Sequence, residues 1–156
     1  MINDQKSLSQ QHNDLFFLCG LIEYIARKTK NERGTIVNAL GVEMLRKIYN
    51  LADVYHCENI DKVTADLITQ CGILTGTYDN LQNLEDFSIP THWDIGRVYE
   101  RLIYTIAQER STNDYIAVLI EVYTSWLPKK IDDYRSSIYY ENNSYLTASY
   151  HLGHAV

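Results

Sequence analysis

The sequence predicts an all-α protein, a compact helical bundle of about six helices arranged in two halves. Three observations carry that prediction. Apolar residues recur at the i, i+3, i+4, i+7 spacing of a helix face in five segments. The 156 residues include only two prolines and seven glycines, too few for the turns of a sandwich or barrel. No stretch keeps the apolar–polar alternation of a half-buried strand.

Residues 1–12 read as a loose polar tail. Asn13 or Asp14 is the expected cap of a first helix, "LFFLCGLIEYIARKTK", with Leu15, Leu18, Cys19, Ile22, Ile25 and Ala26 on one face. Phe17 and Leu21 widen the stripe, and the basic end suits the negative pole of the helix. Asn31 or Thr35 opens the next segment. Gly41 ends a short helix there, and Val42 starts a longer one with Leu45, Ile48, Tyr49, Ala52 and Tyr55 aligned. Asn59 or Asp61 then caps a helix carrying Val63, Leu67, Ile68 and Cys71.

Residues 72–90 lose the helical period and gather Gly, Asn, Asp and Pro. They divide an N-terminal helical half (1–71) from a C-terminal one (91–156), the two expected to share a core. Thr91 and Asp94 form a capping box. Behind it Ile95, Val98, Tyr99, Leu102, Ile103 and Ile106 share a face. Asn113 is the expected cap of the following helix, which Pro128 kinks or breaks because proline lacks an amide donor. A tyrosine-rich stretch closes the chain.

Charge excludes one class of partner. The net charge is −6, with eight basic and nine acidic residues in 1–78 but six and eleven in 79–156. Such a chain offers no basic footprint for nucleic acid, so direct nucleic-acid binding is not expected. "IVNALGVEMLRKI" mimics a helix-turn-helix, yet Lys47 stands where the second helix would bury an apolar residue, and Gly41 reads as a corner between helices. The polar start lacks a signal core, and no apolar run nears the roughly 18 residues of a membrane span. Three cysteines without CxxC spacing read as reduced thiols, so a cytoplasmic location is expected.

The most chemical stretch is "LADVYHCENIDKV", residues 51–63. His56 and Cys57 are adjacent, so on a helix their side chains diverge by about 100°. No second Cys/His pair accompanies them, as zinc or nucleophilic chemistry would need. They read as structural, His56 near a helix C-terminus and Cys57 as a small core residue. No catalytic, metal-binding or cofactor-binding residue is assigned. Tyr99, Tyr104, Tyr115 and Tyr123 fall at helical spacing and read mostly as core rings. The candidate partner-binding residues are Trp93, Tyr99, Trp126, Asp132, Asp133, Tyr139 and Tyr140. They combine aromatic anchors with rim acids in the more acidic half.

From "FLCGLIEYIARK" through "VNALG" to "LADVYHCENIDKVTADLI", residues 16–69 resemble a small uncharacterised bacterial helical family, a domain of unknown function. Tyr55-His56 and Ile60 to Leu67 stand where that family has a turn leading into an acidic, isoleucine-rich helix. The resemblance implies a gene neighbourhood with an ADP-ribosyltransferase-like toxin candidate, and hence an antitoxin. The expected function is therefore non-enzymatic: a protein-binding protein that occludes a toxin with a basic surface, the negative charge raising the association rate. Two alternatives stand beside it. One is a small enzyme with a dispersed site of His92, Asp94, Tyr99 and Arg101. The other is a structural or phage-related adaptor that self-associates through the tyrosine-rich end.

Overall fold

A computed structural model describes residues 6–81, 89–132 and 142–154. Among them are eight helices and no strand. These are α1 (Leu8–Thr29), α2 (Arg33–Asn50), α3 (Ala52–His56), α4 (Ile60–Cys71), α5 (His92–Glu109), α6 (Tyr115–Tyr123), α7 (Leu127–Asp132) and α8 (Asn143–Leu152). The protein is all-α. No helix among the described residues is long and apolar enough to cross a membrane.

Helix α1 is the central element, buried on nearly every side from Asp14 to Ala26. It begins earlier than expected. Ser7, not Asn13 or Asp14, is the cap, its hydroxyl accepting the Gln10 amide at 3.1 Å. Asp14 instead lies inside the helix, where Gln10 Nε2 donates to it at 2.8 Å and Lys6 Nζ pairs with it at 2.7 Å. Lys6 also donates to the Tyr49 carbonyl at 2.8 Å, which ties the start of α1 to α2.

Helix α5 crosses α1 at two glycines. A Cβ on Gly96 would stand 2.8 Å from the Gly20 nitrogen and 2.9 Å from its Cα, closer than real Cβ atoms come. A Cβ on Gly20 would overlap the Trp93 ring. The crossing is backbone on backbone, and only glycine permits it. Around it one core gathers residues from both sides of the 72–90 connection: Leu18, Ile22, Ile36 and Leu45 with Ile95, Leu102, Ile103, Ile116 and Leu119. Helix α2 packs on α6, and α5 on α6 and α8. The connection itself is tied down, because Gly76 and Tyr78 amides donate to the Thr29 and Lys30 carbonyls at 2.7 and 2.9 Å. Asn80 is buried and donates to the Ala26 carbonyl at 2.9 Å.

Buried charge locks α1 to α2. Glu23 is fully enclosed; Arg27 Nε donates to it at 2.6 Å, and the equally enclosed Arg33 pairs with its other oxygen. The Arg33 guanidinium carbon lies 5.5 Å from the centre of the Tyr99 ring, so α5 closes over the pair.

The expected caps hold at two places and shift at three: besides Ser7, Glu32 rather than Asn31 or Thr35 precedes α2. Thr91 and Asp94 form the reciprocal capping box, and Asn59 caps α4. Asn113 does not cap α6: Asp114 does, accepting the Ala117 amide at 3.2 Å while Arg46 grips it from α2 at 3.0 and 3.2 Å. The helix after Asp114 ends before Pro128. Thr124 and Ser125 hydroxyls donate to the Ile120 and Val122 carbonyls at 2.6 and 2.7 Å. Pro128 then sits in the first turn of α7, where its missing amide costs nothing. Gly41, at φ 79 and ψ 163, is non-helical and separates a short helical segment from a longer one within α2, where the break was expected.

Gly96→Ala is expected to lower stability by about 1–3 kcal/mol, because the added methyl forces the α1–α5 backbones apart. Urea unfolding followed by circular dichroism measures this. Glu23→Gln leaves two arginines at a buried site without their counter-charge and is expected to cost about 3–5 kcal/mol in the same measurement.

Candidate functional site

The N-terminal half of α1, the short helix α3 and the first turns of α5 enclose a half-open cleft of about 650 Å³. Its floor is aromatic. Phe16 and Trp93 lie 5.4 Å apart centre to centre, Phe17 and Trp93 6.2 Å, and Phe17 and His56 5.4 Å. His56 meets Trp93 edge-on at 6.5 Å. Each ring is positioned by the fold. Trp93 lies against Gly20, whose missing side chain leaves room for it, and the capping box fixes the helical turn that carries it.

One guanidinium already lies in the cleft. The Arg97 guanidinium carbon stands 3.9 Å from the centre of the Phe16 ring. Its Nη1 donates to Glu100 Oε1 at 2.9 Å, and the other oxygen of Glu100 lies 2.7 Å from His12 Nδ1. Glu100 is buried, so Arg97 is held by a carboxylate behind the cleft wall. Asp14 also reaches the cleft, with both oxygens engaged by Gln10 and Lys6. Asp53 differs. It is exposed on the α3 wall and, among the described residues, accepts only its neighbour's amide, Val54 N–H, at 3.0 Å.

Among the residues predicted to bind a partner, Trp93 is half-buried and lines this cleft. Tyr99 is a correction: it is fully buried and stacks on Tyr123 at 4.3 Å and 18°, so it holds the core together and reaches no surface. The physical reason is its position on the inner face of α5, between Ile95 and Leu102 in the buried stripe. Trp126 lies in the α6–α7 link, partly buried against the core and away from the cleft lining. Asp132 ends α7, while Asp133, Tyr139 and Tyr140 lie outside the described residues.

The dispersed enzyme site does not assemble. Asp94 is committed to the capping box, Tyr99 is in the core and Arg101 is exposed to solvent. His92 packs against Tyr24 at 5.0 Å and Trp93 at 4.5 Å. Burial, with Arg27 nearby, holds its imidazole below the usual histidine range, which favours the neutral ring. Among the described residues no three His, Cys, Asp or Glu side chains come close enough to hold a metal ion.

His56 ends α3, as its sequence position suggested, and also lends its ring to the cleft. Cys57, expected in the core, is exposed just beyond α3. Sequence reasoning missed Phe16, Asp53 and Arg97 as cleft residues. A usable signal was present only on α5, where Trp93 and Arg97 stand four apart behind a capping box and so share one helix face.

Comparison with protein-family models, with curated proteins and with solved structures finds no match to this chain.

The three thiols differ in reach. Cys19 is fully buried, and burial pushes its thiol far up; partial burial raises Cys71 as well. Titration of the folded protein with a chromogenic aromatic disulfide is expected to modify Cys57 first and Cys71 more slowly, and Cys19 only on unfolding. Reaction of Cys19 at the rate of Cys57 in native buffer would contradict this packing.

Proposed function

We propose that this chain is a non-enzymatic protein-binding protein, with the cleft between α1, α3 and α5 as its binding face. The observation that carries this reading is the cleft itself: three aromatic rings and an exposed imidazole meet in one half-open concavity lined also by Asp14, Asp53 and Arg97. Half-buried aromatic residues in a concavity are the usual anchors of protein interfaces. The net charge of −6 favours a partner with a basic surface and a fast, salt-sensitive encounter. On this reading the protein acts by covering its partner, as an antitoxin or immunity protein covers a toxin. The toxin assignment rests on the resemblance of residues 16–69, and the cleft supports binding of a protein in general.

The test begins with capture by the tagged full-length chain, followed by purification of the captured protein and measurement of its affinity. Trp93→Ala is expected to weaken binding by about thirtyfold, the loss of one anchor residue. His56→Ala, at an exposed position, serves as a second variant with little risk to folding. Equal affinity for both variants and the parent protein would remove the cleft from the interface. If the captured protein arrests growth, co-expression of the parent chain should restore it and Trp93→Ala should restore it less.

A further inference from the structure

We propose that the cleft takes the guanidinium of an arginine side chain presented by a basic protein partner, stacked on the Trp93 and His56 rings with Asp53 as its counter-ion. The inference rests on the protein-binding reading above and names the chemistry of the anchor.

Charge accounting decides the sign of the ligand. Four ionisable side chains line the cleft: Asp14, Asp53, His56 and Arg97. Arg97 is paired with Glu100 at 2.9 Å, and Asp14 with Lys6 at 2.7 Å, so these two bring no uncompensated charge. Among the described residues Asp53 has no ion pair, and it accepts one hydrogen bond, from the Val54 amide. The fixed charge left facing the cleft is that carboxylate. An anionic ligand would meet it as a like charge. A cation is attracted both to it and to the negative faces of the rings.

Geometry selects arginine over lysine. A planar guanidinium stacks on a ring face and can still offer a forked pair of donors to a carboxylate, which an ammonium cannot do at once. The cleft already contains this mode of recognition internally, in Arg97 over Phe16 at 3.9 Å with its donors turned to Glu100. The rings of Trp93 and His56, backed by the buried Phe17, form a second aromatic wall that no cation occupies among the described residues. The cleft volume of about 650 Å³ exceeds one side chain, so a loop residue enters with its neighbours.

The probe is N-acetyl-arginine amide, titrated into the full-length chain and read at the indole N–H of Trp93 by NMR. Trp126→Phe assigns that signal, because the chain has two tryptophans. The expected result is a saturable shift, with N-acetyl-citrulline amide, the uncharged isostere, binding about fivefold or more weakly. Asp53→Asn should weaken the arginine probe by about fivefold, while Asp66→Asn, on an exposed face outside the cleft, should not. A linear shift, equal binding of citrulline, or an unchanged affinity in Asp53→Asn overturns the proposal. Failure of the arginine probe while Trp93→Ala still weakens the captured protein overturns the arginine anchor alone and leaves protein binding standing. Saturable, Asp53-dependent arginine binding supports the anchor even where no captured protein depends on Trp93.

Discussion

The closest constraint in this molecule is the contact between Gly20 and Gly96, where the backbones of α1 and α5 touch. The α1–α5 pair it joins is the most extensive helix pairing of the described core. With the axes so close, the side chains flanking the contact must spread sideways, and Ile95, Tyr99, Leu102 and Ile103 fill the space on either side of α1. The crossing also sets the depth of Trp93, whose ring covers the face that Gly20 leaves bare. A core requirement and a surface feature thus share one pair of residues. A methyl at either glycine would disturb both.

The Glu23–Arg27–Arg33 group adds specificity to that packing. Two fully enclosed charges, Glu23 and Arg33, with Arg27 partly exposed beside them, are an expensive way to join α1 to α2, because the enclosed groups lose their hydration. Apolar side chains of similar volume could join the helices as well. What the ion group supplies is a single register: only one rotation of α2 brings Arg33 to Glu23 while its guanidinium lies beneath Tyr99. Tyr99 in turn stacks on Tyr123, and Tyr123 lies against the Cys19 thiol. The chain of contacts therefore runs from α1 through α2 and α5 to α6 and back to α1.

Much of the fold was legible because its signals are local. Periodicity marked α1, α4 and α5, and the oxygen side chains of Asn59 and Thr91 marked where two of them begin. Ser7 was passed over because Asn13 and Asp14 are equally good caps in isolation; only the tertiary contacts of Lys6 make the longer helix the better one. The expected break falls just before Pro128, between Tyr123 and Leu127, and the proline itself stands in the first turn of α7, which tolerates it. The site was far less legible. Gly20 and Gly96 look like ordinary helix-weakening residues until their helices are brought together, and Asp53, Arg97 and Phe16 become neighbours only across that crossing. Tyr99 was misassigned for the same reason: amphipathic aromatics look alike in sequence whether the core or a partner covers them.

The walls of the cleft are not equally firm. Trp93 and Arg97 stand on a long helix with a reciprocal cap and a buried stripe running its length, and Phe16 and Phe17 stand on the central helix. Asp53 and His56 stand on α3, five residues long, of which Ala52 is the one buried. The α3 side of the cleft is therefore held by less buried surface than the floor that α1 and α5 supply. On the protein-binding reading proposed above, the floor supplies a preorganised anchoring surface at little entropic cost, and α3 adds the charge of Asp53 at its edge. On that reading contacts with α3 tune affinity, while the floor carries the anchoring.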